Sequence, residues 1–363
     1  MAVFNFILTL FSILFLLVLH EFGHFITARR LGVKVEEFGI GIPPRLFSFK
    51  FKDTLYSINL LPFGAFVKIP GLDEATDPED YKFMMGKPIW QRALILLGGV
   101  VSFWIIGAIL FSIVFGLGVP QAITDDELDA VNPEILISSI SVDSPAEQAG
   151  LVPGDIVKKV RGLEGEVEIV KVNQLIDYTN NHKGQEITLT IMRMNDVFEV
   201  NIIPRIDPPS GEGAIGIGLV RTSYKSFPWW QAPLKGIETT FNLSIAVVEG
   251  WYNVLKSLVL GNGVPKSVKF VGPIGLFQLV NQAAQVGIVY FIQFIAMIAV
   301  YLAVFNILPI PALDGGKLLF LAIEKIKGKP VDPMTEQKIT AVFFGIFLIL
   351  MLIISIKDIG RLF

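Results

Sequence analysis

Residues 4–24 read FNFILTLFSILFLLVLHEFGH. Phe4–Leu19 is an almost uninterrupted apolar run, and it continues without a break into His20-Glu21-Phe22-Gly23-His24. Extended to about Ala28, the run is long enough to cross a bilayer as a helix, which takes ~20 residues. On a helix His20 and His24 lie one turn apart on the same face, so both imidazoles can grip one metal ion. Glu21 projects beside that face, where a general base belongs. Ionisable groups at membrane depth are costly and by default mark function. The bland alternative is a hydrogen-bonded histidine pair. Two of the chain's 3 histidines fall in this motif, which favours the metal.

The composition agrees with a membrane setting. Of 363 residues, 52% are hydrophobic and 17% charged, and the mean hydropathy is +0.61, a membrane-protein profile. A net charge of −3 gives no basic footprint for nucleic acid. The absence of cysteine excludes disulfides and thiolate metal ligands. Four transmembrane helices are predicted, at 1–30, 93–118, 287–308 and 341–357. The first lacks a basic n-region and a small-residue cleavage site, so it reads as a retained span. Arg29, Arg30, Lys34 and Arg45 follow the first span, and Lys317, Lys325, Lys327 and Lys329 follow the third. This bias puts both segments on the cytoplasmic side and the long stretch of about 119–286 outside.

Within the cytoplasmic region 31–92, two apolar, β-prone runs flank Leu61-Pro62-Phe63-Gly64, which reads as a hairpin turn. Too apolar for water and too short to span, Thr54–Gly71 is expected either as a hairpin dipping into the membrane and shielded by protein or as an ordinary hairpin packed on the protein. Outside, Asp125-Asp126-Glu127-Leu128-Asp129 reads as an acidic linker. A compact α+β domain at 131–206 follows, with a short helix, a Gly150-Leu151 turn and a Pro153-Gly154-Asp155 turn into a strand. This pattern resembles a PDZ domain, whose groove takes extended peptides by strand addition. Gly150, Leu151, Gly154 and Asp155 are the expected groove residues. His182 sits in a polar loop and is expected to be solvated. The region 207–286 is expected as amphipathic helices lying at the outer membrane surface, the alternative being a packed helix of the soluble region.

A catalytic zinc site normally has three protein ligands and a water. With no cysteine, and with His182 placed outside, the third ligand should be a carboxylate at membrane depth. Asn306-Ile307-Leu308-Pro309-Ile310-Pro311-Ala312-Leu313-Asp314-Gly315-Gly316 supplies one at the cytoplasmic end of the third span. The prolines break the helix, and the glycine pair allows a tight turn. Asp314 could instead simply cap the next helix; the missing ligand favours the metal role.

Together H-E-F-G-H at 20–24, L-P-F-G-A-F-V-K at 61–68, the PDZ-like insert and N-I-L-P-I-P-A-L-D-G-G at 306–316 resemble the site-2 protease family, peptidase family M50. Within it, the bacterial regulators of envelope-stress sigma factors are most similar, over nearly the whole chain. The resemblance implies a polytopic α-helical membrane protein of four transmembrane helices with a membrane-associated β-hairpin and an inserted extracytoplasmic PDZ-like domain. It implies a zinc metalloendopeptidase that cuts transmembrane segments. One Zn2+ would sit on His20, His24 and Asp314, and Glu21 would activate water. Asn306 and the hairpin residues Phe63, Gly64, Ala65, Phe66 and Val67 would hold the substrate. The implied partners are single-pass membrane proteins, such as anti-sigma factors or signal-peptide remnants, a peptide ligand of the PDZ-like domain, and the lipid bilayer. The implied location is the bacterial cytoplasmic membrane, with the active site near the cytoplasmic side. Two features depart from the pattern: Gly99 and Ser102 replace a usual Pro and Asn, and one PDZ-like domain is legible where many relatives carry two. A reading of another class, a non-catalytic membrane adaptor, is disfavoured by the intact motif and Asp314.

Overall fold

The computed structural model describes residues 2–71, 83–127, 132–163, 165–193, 196–209, 211–263 and 271–360. The chain forms two compact units, Met1–Ile113 with Trp229–Phe363, and Val114–Pro228.

In the first unit, long segments rich in Leu, Ile, Phe and Val and apolar on every face form α1 (Ala2–Arg30), α2 (Ile89–Leu117), α7 (Ile288–Ile307) and α9 (Pro333–Gly360). All four are long and apolar enough to cross a membrane. The fourth begins at Pro333, well before the predicted 341. Asp332 caps it, with Oδ2 accepting from Thr335 N at 2.9 Å, and proline suits the first helical turn. The polar residues Thr335–Lys338 conceal that start from a hydropathy reading.

Strands β1 (Glu37–Phe51) and β2 (Thr54–Lys68) replace the expected simple hairpin. Glu37–Ile40 faces Leu55–Ile58 on one side and Ala65–Lys68 on the other. The two β-prone runs therefore do not pair with each other; a third segment lies between them. Arg45–Phe51 then folds back along Thr54–Asn59. This leaves 61–68 as an edge, with no further strand beside it among the described residues. Phe25, Ala28, Val35, Phe38, Val67, Ile95 and Leu96 are buried in one cluster that fastens the sheet to the helices.

The expected surface helices at 207–286 need correction. Residues Ile217–Lys225 are a strand of the second unit. The helix α5 (Ala232–Val259) runs alongside α2 rather than across its end. A Cβ at Gly236 would strike Ser112 and the Ala108 carbonyl, the Thr240 methyl approaches Gly107, and Trp104 Nε1 donates to Ser244 Oγ at 3.1 Å. Gly236, Thr240 and Ser244 recur every four residues, the small-residue stripe by which helices approach closely in lipid. A shorter helix, α6 (Pro273–Val286), precedes α7, and Asp358 Oδ2 accepts from Gly272 N and Gly275 N at its start.

The second unit is a 7-stranded sheet in the order β3-β9-β4-β5-β7-β8, with β6 paired to β5. Its strands are β3 (Val119–Ala122), β4 (Glu134–Ile140), β5 (Ile156–Gly162), β6 (Gly165–Glu168), β7 (Ile187–Arg193), β8 (Asp196–Ile202) and β9 (Ile217–Lys225). Helices α3 (Pro145–Gln148) and α4 (Val172–Asn181) complete it. Ile135, Ile137, Val157, Leu175, Leu189 and Ile191 are among its buried core residues. β3 and β9 lie beyond the predicted 131–206 on both sides. Leu128, Asp129 and Val131 lie outside the described residues. Asp125, read as linker, instead caps α4, accepting from Val172 N at 3.0 Å and Asn173 N at 2.9 Å.

The predicted groove residues are structural. Leu151 is core, and Asp155 is 0% exposed. Asp155 accepts from Val152 N at 2.9 Å and is forked by Arg193 Nε at 2.7 Å and Nη2 at 2.8 Å. A residue so enclosed cannot meet a peptide. Gly150 and Gly154 serve the turns, both at positive φ. His182 is also not solvated: it is buried, stacks on Tyr178 with centroids 4.2 Å apart, and pairs Nδ1 with Tyr178 O at 2.9 Å.

Candidate metal centre

The site begins with a close crossing of α1 and α2. A Cβ at Gly23 would collide with the Gly98 carbonyl, and one at Gly98 would fall 2.7 Å from Gly23 O. Without side chains at these points the two backbones touch, and the histidine face of α1 lies directly on α2. His24 Nδ1 pairs with Ile95 O at 2.8 Å. A carbonyl can only accept, so Nδ1 carries the proton and Nε2 keeps its lone pair, as a metal-ligating imidazole requires. His20 stacks on Phe103 with centroids 4.6 Å apart and 16° between planes.

Asp314 arrives from the other side. α7 ends at Ile307, and Pro309 and Pro311 prevent its continuation. Helix α8 (Asp314–Lys327) starts immediately after the loop. Cβ atoms at Gly315 or Gly316 would overlap the carbonyls of Leu308 or Ile310, so only glycine lets this first turn press against the loop. The N-cap position is Leu313, and Asp314 is the first helical residue, its carboxylate turned to the histidines. Asp314 Oδ2 lies 3.3 Å from His20 Nε2 and 3.4 Å from His24 Nε2. The two Nε2 atoms are 3.3 Å apart.

That triangle tests the fit of a metal. Zinc bonds to nitrogen and oxygen of ~2.0–2.1 Å in a tetrahedron imply ligand–ligand edges of about 3.3–3.4 Å. The three edges match. Asp314 Oδ2 is buried beside the two imidazole Nε2 atoms and makes no well-aligned hydrogen bond, a cost that a shared cation removes. His20, His24 and Asp314 are the cluster of potential metal ligands found among the described residues. Glu21 is half-buried on the same turn of α1, within electrostatic reach of all three.

The sequence model of peptidase family M50 matches residues 8–352. The chain belongs to peptidase family M50. It is 30% identical to a zinc metalloprotease of Clostridium acetobutylicum over 99% of this chain and 98% of that one. It is 27% identical to zinc metalloprotease RasP of Shouchella clausii, over 98% of each chain. It is 26% identical to the regulator of sigma-W protease RasP of Bacillus subtilis, over 95% of each. Like these relatives, this M50 chain is a zinc metalloprotease.

Asn306 is on the last turn of α7, one short loop before Asp314, with Nδ2 donating to Leu302 O at 2.9 Å. Gly64, Ala65, Phe66 and Val67 lie on the edge segment of β2. Val67 is buried, and the Phe66 ring covers Gly39. Phe63 shares that segment; its side chain lies outside those described. The two departures from the family pattern have local explanations. The space beside Gly99 is filled by both imidazoles, and Ser102 Oγ donates to Gly99 O at 2.6 Å. Sequence reading overlooked the Ile95 carbonyl and the Gly23–Gly98 contact. The glycine pair in the middle of an apolar span was the available signal. Replacing Gly23 by Ala should force α1 and α2 apart. We expect destabilisation of about 1–3 kcal/mol, typical of overpacking, together with weakened zinc binding. Thermal unfolding and metal analysis of the purified variant check this.

Proposed function

We propose that this M50 enzyme hydrolyses peptide bonds in membrane-spanning segments, with His20, His24 and Asp314 holding the zinc and Glu21 carrying the proton. The matched triangle of ligand atoms across α1 and α8, at the end of a membrane-length helix, supports this reading most directly. A bound zinc ion supplies a water of pKa near ~7 and polarises a carbonyl. Glu21 accepts the proton that water loses as its oxygen attacks the peptide carbonyl carbon. It then gives that proton to the departing nitrogen as the C–N bond breaks. His24, fixed through Ile95, keeps its lone pair toward the site throughout.

An intact substrate helix hides its carbonyls in i→i−4 hydrogen bonds, so cleavage requires local unwinding. The edge segment 61–68 can pair with the extended stretch, and Asn306 can hold exposed substrate backbone. We place the active site toward the cytoplasmic side of a bacterial cytoplasmic membrane, from the Lys and Arg that follow the first and third spans. The second unit we read as an extracytoplasmic PDZ-like domain. Its peptide groove would lie between α4 and β9, where Ile217–Val220 carries no strand opposite β4 among the described residues. The sigma-factor role that names the Bacillus subtilis relative points to membrane-anchored anti-sigma factors as substrates; signal-peptide remnants share the needed apolar helix.

The test is cleavage of a model transmembrane segment by the purified full chain in lipid vesicles. A chelator should abolish cleavage, and added zinc should restore it. Undiminished cleavage by demonstrably metal-free protein would sink the proposal.

A further inference from the structure

Two metal ligands sit on α1 and the third on α8, so the position of α8 decides whether the centre forms. Gly315 and Gly316 seat its first turn on the preceding loop. Farther along, a different contact holds it. Arg92, on the first turn of α2, forks onto Glu324 of α8, Nη1 to Oε2 at 3.0 Å and Nη2 to Oε1. The two side chains are only 8% and 14% exposed. Withdrawing two charges from water costs several kcal/mol per ion, and a packed apolar pair commonly fills such a place without that cost. A bidentate fork adds direction, because the planar guanidinium and carboxylate meet in one orientation.

The helix at the other end of the fork matters. α2 carries the Ile95 carbonyl that orients His24 and the Gly98–Gly99 contact that receives α1. Leu321 of α8 is buried in the same cluster as Ile95 and Leu96. The ion pair thus references the helix of Asp314 to the helix that already orients the histidines.

We infer that Arg92 and Glu324 are positioning residues of the metal centre, setting where Asp314 stands relative to His20 and His24. This rests on the zinc reading above. The experiment compares zinc affinity, by chelator competition, with thermal unfolding in the purified full-length protein. The apolar double variant Arg92→Met/Glu324→Leu should unfold near the parent temperature yet bind zinc about tenfold or more weakly, the range for lost outer-shell partners. Added to Asp314→Asn, the same pair should weaken zinc binding no further. Glu324→Gln, which preserves shape, should show the same loss in smaller measure and serves if the double variant does not fold. A folded double variant, or in its absence a folded Glu324→Gln, that binds zinc as tightly as the parent overturns the inference alone. Zinc affinity unchanged by Asp314→Asn overturns the centre and the inference together.

Discussion

Glu21→Gln should leave zinc bound and lower cleavage of a transmembrane substrate by about 10²–10⁴-fold, the usual contribution of a positioned acid–base group. The expectation follows from where Glu21 stands. It shares a helical turn with His20 and His24 but belongs to neither the ligand triangle nor the contacts that build it. Glutamine is nearly isosteric, so the α1–α2 crossing at Gly23 is undisturbed. What it lacks is the capacity to take a proton from water and return it to the leaving amine. Zinc stoichiometry, thermal unfolding and a cleavage time course measured together separate this loss from a structural one. Cleavage within a few-fold of the parent would remove Glu21 from the proton path.

Much of this was legible because the deciding signals are local. The i, i+4 histidines define their own face, and four apolar runs announce four membrane-length helices. Asp314 was reachable because zinc needs a third ligand and cysteine was absent. What escaped the sequence was non-local or depended on packing. The segment 37–40 inserts between 55–58 and 65–68, and a period-two pattern does not say which strand is a neighbour. α5 reads as a surface helix because Phe241–Leu260 is amphipathic and follows aromatics, Trp229 and Trp230, that suit a membrane interface. Its Gly236, Thr240 and Ser244 stripe instead fits it against α2. Asp155 reads as a groove residue from its place after the Pro153-Gly154 turn, because Arg193, the partner on β7 that closes over it, is 38 residues away in sequence. His182 was read as solvated because stacking on Tyr178 across one helical turn leaves no mark in a polar loop.

Asp314→Asn should weaken zinc binding by on the order of a hundredfold or more, beyond the 10–100-fold typical of outer-shell partners, and abolish cleavage with it. This variant distinguishes the two roles an Asp at this place can have. As a helix-terminal group, Asn serves about as well as Asp, and the lost charge at the first turn costs only about 0.3–1 kcal/mol. A capping role therefore predicts an almost silent change. A ligand role predicts failure of the centre, because the amide brings no charge to balance the cation. The geometry favours the second outcome: the N-cap is already Leu313, and Oδ2 completes a triangle whose other corners are imidazole nitrogens. Zinc content after dialysis against a graded chelator series, with thermal unfolding alongside, reads both roles in one preparation. Full zinc content at parent chelator concentrations would return Asp314 to the helix terminus and require another third ligand.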